Sequence, residues 1–177
     1  REFQCTGRLA LPGGSVTCER AHGLQDMAQA LKNSCNCYYA DLTVSMGAQA
    51  MTDAVERYGV LNQVRFDGIG TAAGHFSVEN AAAVELAWAG IGQHTDLVNP
   101  CAFMTFMGAI ANDGKTTAPY LIDRISVNSI TTYDAKRTPG ERIMSEETAA
   151  VLQEYLKNNV DTKYGAENFP DLTVGAK

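Results

Sequence analysis

A three-residue joint, Ser34-Cys35-Asn36, separates two stretches of helical periodicity and constrains the fold more than any other feature of the chain. Upstream, Leu24, Met27, Ala28 and Leu31 recur at i, i+3, i+4 and i+7, which predicts a helix with one buried stripe. That helix is expected to end near Asn33, because Asn and Ser bond to nearby backbone and favour caps over helix interiors. Downstream, Tyr39, Leu42 and Met46 share one face of a second helix, and Gly47 suits its C-terminal left-handed position. A third helix is expected from Gln49 to Tyr58, closed by Gly59. Two short polar side chains, Ser34 and Asn36, therefore sit at a helix–helix corner. Taken alone, Ser-x-Asn is as readily a turn, with Asn36 capping the next helix.

At 177 residues the chain can bury a real core, and we read residues 1–177 as a single domain. A 45% hydrophobic content argues against disorder. Net charge is −6, and no basic run exceeds two residues, so neither nucleic acid nor an anionic membrane is an expected partner. The opening residues, Arg1-Glu2-Phe3-Gln4-Cys5, do not read as a signal peptide. Nor does any apolar run approach the ~18 residues of a membrane span.

The five cysteines leave at least one unpaired within a monomer. Cys35 and Cys37 are too close in sequence to bridge comfortably, and Cys101 follows a proline at an expected helix start. Cys5 and Cys18 are the one plausible pair, closing a loop worth ~3 kcal/mol in the chain-entropy model. A turn at Pro12-Gly13-Gly14 that sets Leu11 opposite Ser15 would leave them offset, so five reduced, buried thiols is the simpler reading. His22, His75 and His94 fall in three separate expected loops, with no carboxylate or cysteine at metal-ligand spacing, so no metal is assigned. His22 is read as a helix-entry residue and Trp88 as a core residue. Gly68-Ile69-Gly70-Thr71-Ala72-Ala73 loosely matches a dinucleotide fingerprint, yet no strand–turn–helix surrounds it. It reads as a flexible loop within residues 60–76, and no cofactor is assigned.

Further along, residues 77–91 hold an alanine-rich run of helical character broken by Gly90 and Gly92. Asn99-Pro100 is a strong helix start, a capping side chain followed by proline at the first helical position. Phe103, Phe106, Met107 and Ile110 are expected to form its core face, and Asn112-Asp113-Gly114 to end it. The composition of residues 119–133 predicts one or two strands. Ser145 should cap a last helix carrying Ala149, Leu152, Leu156 and Val160, and Leu172-Thr173-Val174 resumes strand character. The fold class is mainly α (α+β), with a minor β-hairpin component.

Four landmarks then coincide in order. His22-Gly23-Leu24, Ala30-Leu31 and Asn33-Ser34-Cys35-Asn36 with Tyr38-Tyr39 behind it closely resemble the penicillin-binding transpeptidases. Ile91-Gly92-Gln93 and the Asn99-Pro100 helix ending in Ala109 to Gly114, with Pro119 beyond, resemble a second landmark of that family. Met144-Ser145 is a third, and Val174-Gly175-Ala176-Lys177 a fourth, where the family continues with Thr-Gly. The resemblance covers nearly the whole chain.

It implies a serine enzyme of bacterial cell-wall synthesis, of the monofunctional high-molecular-weight type, at the extracytoplasmic face of the plasma membrane with its anchor outside this chain. Such enzymes acylate a serine with the D-Ala-D-Ala end of a peptidoglycan stem peptide and pass the acyl group to an amine, and β-lactams acylate the same serine. Carried over, Ser34 relays a proton, Asn36 holds the substrate amide, and Lys177 supplies positive charge beside Ser34 and orients the substrate carboxylate. The departure is that none of the seven serines is followed three residues later by Lys, so the Ser-x-x-Lys nucleophile motif does not occur in these residues. We therefore expect the helical subdomain of a transpeptidase domain, running from after the nucleophile motif to the Lys of Lys-Thr-Gly, catalytically dead alone. Its partners would be the remainder of that domain, with stem peptide and β-lactams bound by the whole. The alternative is a non-catalytic helical module that binds a partner or peptide. The end of the chain, stopping in strand-like residues at a motif, favours truncation.

Overall fold

The computed structural model describes residues Arg1–Lys177. Strands β1 (Phe3–Cys5), β2 (Arg8–Leu11), β3 (Gly14–Thr17) and β4 (Gly23–Gln25) come first, then helices α1 (Met27–Asn33), α2 (Asn36–Met46) and α3 (Ala48–Tyr58). The chain continues through β5 (Arg65–Phe66), β6 (Ile69–Gly70), α4 (Ala83–Ala89), α5 (Pro100–Ala111) and β7 (Lys115–Thr117). It closes with β8 (Arg124–Val127), β9 (Ile130–Asp134), β10 (Pro139–Arg142) and α6 (Glu146–Asn159), followed by a π-helical turn at Val160–Tyr164. The ten strands form five two-stranded antiparallel ladders, so helices dominate and the β content is local hairpins and pairs, as expected. Backbone contacts divide the chain into two compact units, one of residues 1–55, 76–96 and 151–177, the other of residues 56–75 and 97–150.

In the first unit, β1 pairs with β4 while β2 and β3 form the hairpin turned by Pro12-Gly13. Its register sets Leu11 opposite Gly14 rather than Ser15, because the turn has two residues and not three. Behind these strands lies a core of Cys5, Ala30, Cys35, Cys37 and Tyr38, continued by Val16, Ala40 and Ala87 with Trp88 packed against them. A Cβ on Gly90 would sit inside the Thr43 side chain, so glycine there lets the end of α4 press against α2.

The expected face of the first helix is wrong, and that of the second holds only in part. Leu24 belongs to β4, pairs with Gln4 and is 62% exposed. Helix α1 starts later because Asp26 Oδ1 accepts from the Gln29 N–H at 2.8 Å while Gln29 Oε1 accepts from the Asp26 N–H at 2.9 Å. That reciprocal cap stops the helix from extending back to Leu24. Ala30, not the Leu24/Met27 stripe, is its buried residue, and His22 leads into a strand rather than a helix. In α2 the buried residues are Cys37, Tyr38, Ala40 and Thr43, while Met46 is exposed. Tyr39 and Leu42 are half-buried and pack against the same core, in which Tyr38 is the largest fully buried side chain.

In the second unit, Asn99 caps α5 with Pro100 at its first position, as the sequence predicts. Its Oδ1 accepts from the Cys101 N–H at 3.0 Å, and its Nδ2 reaches Asn62 O, Thr71 Oγ1 and Ala72 O at 2.7, 2.6 and 2.9 Å. Asn99 is buried, so truncation leaves carbonyls without a donor as well as uncapping the helix. Asn99→Ala is expected to cost ~2–4 kcal/mol in urea unfolding. Ala102, Ala109 and Ile110 are the buried residues of α5, and Phe103 is exposed. Apolar residues surround this helix, so periodicity cannot pick the buried side; packing along β7 does.

Residues 60–76 are not featureless. Asp67 and Gly68, both with positive φ, turn the β5–β6 hairpin, the Asp-Gly pairing that such two-residue turns favour. Asp67 Oδ2 also accepts the N–H groups of Leu121 and Ile122 at 2.9 and 3.0 Å, which hold its carboxyl below the usual range. Asn128 and Ser129 turn the β8–β9 hairpin in the same way. Ser145 Oγ accepts the Thr148 N–H at 3.1 Å at the start of α6, with Ala149 and Leu156 buried as expected. Residues 172–174 form no strand. They lead to Ala176, whose N–H bonds Leu156 O at 3.1 Å and whose carbonyl accepts Asn159 Nδ2 at 3.0 Å.

Candidate active site

Ser34 ends α1 in the left-handed conformation (φ 53°, ψ 47°), its N–H and that of Cys35 closing the last turn onto Leu31 O and Ala30 O at 3.2 and 2.9 Å. A non-glycine residue there costs ~1–2 kcal/mol, and the return is an abrupt joint. Cys35 then serves as the N-cap of α2, its Sγ accepting the Tyr38 N–H at 3.4 Å. Cys35 itself, and not Asn36, is therefore the cap. Asn36 is the first helical residue, and its Nδ2 donates to Thr17 O at 2.9 Å, tying the joint to the end of β3.

Lys177 comes from the opposite end of the chain. Its Nζ donates to Ser34 Oγ at 2.7 Å, across 143 positions of sequence. Ser34, Asn36 and Lys177 all line one cleft of about 380 Å³, with Tyr39, Ile91 and Gly92. Ser34 and Asn36 also border a second cleft of about 580 Å³, lined by Arg20, Lys32, Lys163 and His22 and by a single acid, Glu19. This wall is electropositive and suits an anionic group. The three residues singled out in the sequence are thus neighbours. Sequence reasoning missed Arg20, Lys32 and Lys163, since scattered single basic residues carry no local signal.

Burial pushes the Lys177 ammonium below its ordinary value, and repulsion from the Lys163 charge adds to this. Lys163 is held nearby by donating to Lys32 O at 2.9 Å. The unfolded chain therefore binds more protons than the folded one in the interval just below the ordinary lysine value of about 10.5. Stability from this group accordingly rises with pH through that interval, and the penalty is complete below the folded-state value. Chemically, a lysine shifted this way shares a proton with a hydroxyl more easily than an ordinary one. Lys163→Gln is expected to raise the titration midpoint of Lys177, followed by NMR of methyl-labelled lysines; an unchanged midpoint would remove Lys163 from the site.

The histidine and cysteine positions also differ from expectation. Cys5, Cys18 and Cys35 do join His22: their sulfurs and a ring nitrogen of His22 all lie within 4.8 Å of one another. Cys5 and Cys18 come close because Cys5 lies in the β1–β4 ladder rather than in the hairpin. The chain folds back at Gly7, whose carbonyl accepts the Cys18 N–H at 3.0 Å. All five thiols are free, and Cys18 and Cys101 are half-buried rather than buried.

The family description for the penicillin binding protein transpeptidase domain matches residues 13–177. Stage V sporulation protein D of Bacillus subtilis (strain 168) is 25% identical over 186 residues, covering 99% of this chain and 28% of that protein. Among solved structures, the D,D-transpeptidase domain of a peptidoglycan glycosyltransferase from Eggerthella lenta is 26% identical with a TM-score of 0.83. That match covers 98% of this chain and 46% of the other. Penicillin-binding protein A from M. tuberculosis, in its ceftriaxone acyl-enzyme complex, has the same fold, with a TM-score of 0.85 at 21% identity over 99% of this chain and 41% of that one. The chain thus spans about a quarter of the curated relative and less than half of the solved chains. With its helices and small antiparallel pairs arranged as in those structures, this chain belongs to the penicillin-binding protein transpeptidase domain family and forms the helical subdomain of that fold.

Proposed function

We propose that the chain forms one wall of the active site of a D,D-transpeptidase that cross-links peptidoglycan stem peptides through a serine acyl-enzyme and is acylated by β-lactams. The observation that carries this reading is the 2.7 Å bond from Lys177 Nζ to Ser34 Oγ beside Asn36. An attacking serine must lose a proton and a leaving amine must gain one, so a hydroxyl bonded to a lysine of depressed basicity is suited to passing that proton between them. Asn36, pinned through its Nδ2 to Thr17 O, offers its amide oxygen to a substrate N–H at a fixed place. The cationic wall of Arg20, Lys32 and Lys163 complements the carboxylate of a D-Ala terminus or of a β-lactam.

The nucleophile belongs to a Ser-x-x-Lys segment, which these residues do not contain. The polypeptide of these 177 residues is therefore expected to form no adduct with fluorescent penicillin, as intact mass would record. A transpeptidase domain joining it to a Ser-x-x-Lys segment is expected to be acylated stoichiometrically on that serine. An adduct on Ser34 in the short polypeptide, or none on the longer one, would overturn the assignment. The site of action is proposed to be the extracytoplasmic face of the plasma membrane, where stem peptides lie; no helix of the structure is long and apolar enough to cross a membrane.

A further inference from the structure

We propose that Cys5, Cys18, Cys35 and His22 bind one zinc ion, which staples the Ser34-Cys35-Asn36 joint to the strands in front of it. Zn–S bonds of ~2.3 Å and a Zn–N bond of ~2.0–2.1 Å at tetrahedral angles require S···S edges of about 3.8 Å and an S···N edge of about 3.6 Å. Of the six edges, three are 3.9 Å for Cys5 to Cys18, 3.8 Å for Cys18 to Cys35 and 3.6 Å from Cys5 Sγ to His22 Nδ1, and the other three lie within 4.8 Å. Three thiolates with one imidazole in a tetrahedral set select zinc among the divalent ions.

The surroundings fit a thiolate site. Cys35 Sγ accepts the Tyr38 N–H and Cys18 Sγ the Cys37 N–H, both at 3.4 Å, and both donors belong to the first turn of the eleven-residue α2. Such N–H···S bonds and the positive end of a helix offset the charge left when three thiols lose their protons. One Zn²⁺ against three thiolates and a neutral imidazole leaves the site at −1. Cys37, 3.4 Å from Cys18, instead directs its S–H to Val16 O at 3.6 Å and stays outside the ligand set.

The ligands come from β1, from just after β3, from just before β4, and from the α1–α2 joint. Cys18 follows Thr17, whose carbonyl holds Asn36, and Cys35 lies between Ser34 and Asn36. One ion would therefore fix both ends of that hydrogen bond. His22, the fourth ligand, borders the cationic cleft. This inference does not depend on the transpeptidase reading, because none of its readouts requires acylation.

The full chain, purified without chelator, is expected to carry one equivalent of zinc by elemental mass spectrometry. Cobalt(II) exchanged into the site should give the strong visible bands of a tetrahedral thiolate complex. Stripping the metal should lower Tm by ~10 °C or more and speed amide exchange at residues 34–36. Cys18→Ser and His22→Gln should lose the metal, and Cys37→Ser and Cys101→Ser should keep it. Cobalt bands in the unmutated chain test the site even where a variant fails to fold. Chain lacking zinc and giving no tetrahedral cobalt spectrum, or an intact mass short of two hydrogens from a Cys5–Cys18 disulfide, would overturn the proposal. So would zinc lost in Cys37→Ser but retained in His22→Gln.

Discussion

In a transpeptidase domain joining this chain to a Ser-x-x-Lys segment, Ser34→Ala and Lys177→Ala are each expected to slow penicillin acylation by ~10²–10³. The double variant should fall well short of the product of the two effects, because Lys177 Nζ donates directly to Ser34 Oγ at 2.7 Å and each residue acts through the other. Stopped-flow acylation of the four proteins closes the cycle. Ser34→Gly separates chemistry from backbone, since glycine accepts the φ of 53° without strain but has no hydroxyl. It should acylate as slowly as Ser34→Ala while its stability stays within ~1 kcal/mol of the parent. Strict additivity in the double variant, or near-normal acylation of Ser34→Gly, would reduce Ser34 to a helix terminus and nothing more.

The largest expected loss of stability lies elsewhere, at Gly114. Its φ is +87°, and an added Cβ would overlap the Met144 carbonyl oxygen. Its N–H bonds Ala109 O at 2.7 Å, and its carbonyl accepts the Ile143 N–H at 2.9 Å, so the backbone cannot move aside without breaking both. Gly114→Ala combines left-handed strain with overpacking against main chain and is expected to cost ~2–5 kcal/mol. Chemical denaturation of the chain checks this; a change below ~1 kcal/mol would mean that the α5–β7 connection relaxes freely.

Much of the helical framework is legible in residue order because helix ends are local events. Asn99-Pro100 starts α5, Ser145 starts α6 and Gly59 follows α3, each within a residue or two of the position its chemistry dictates. The reciprocal cap of Asp26 and Gln29 is equally local and places the start of α1 after Leu24. Asp67-Gly68 is local too, a hairpin turn rather than a loose loop. Buried faces are less local. Where a helix is apolar on most sides, as in α5, or buries Cys37, Tyr38 and Ala40 with Tyr39 and Leu42 half-buried beside them, as in α2, periodicity marks several candidate stripes and the neighbouring element chooses among them.

Residue order by itself determined the class of fold, the joint at Ser34-Cys35-Asn36 and the family to which these landmarks belong, because caps, turns and motifs act over a few residues. The tertiary structure alone decided that Lys177 reaches Ser34 across 143 positions and that Arg20, Lys32 and Lys163 share a cleft. It alone also brought Cys5, Cys18 and Cys35 around His22. Those meetings depend on a β1–β4 pairing, a chain reversal at Gly7 and the docking of the chain end against α6, all contacts between segments far apart in sequence. Long-range closure of this kind leaves no periodic trace in the residues it joins. Its free energy comes from the packing of whole elements and not from the side chains at the meeting point.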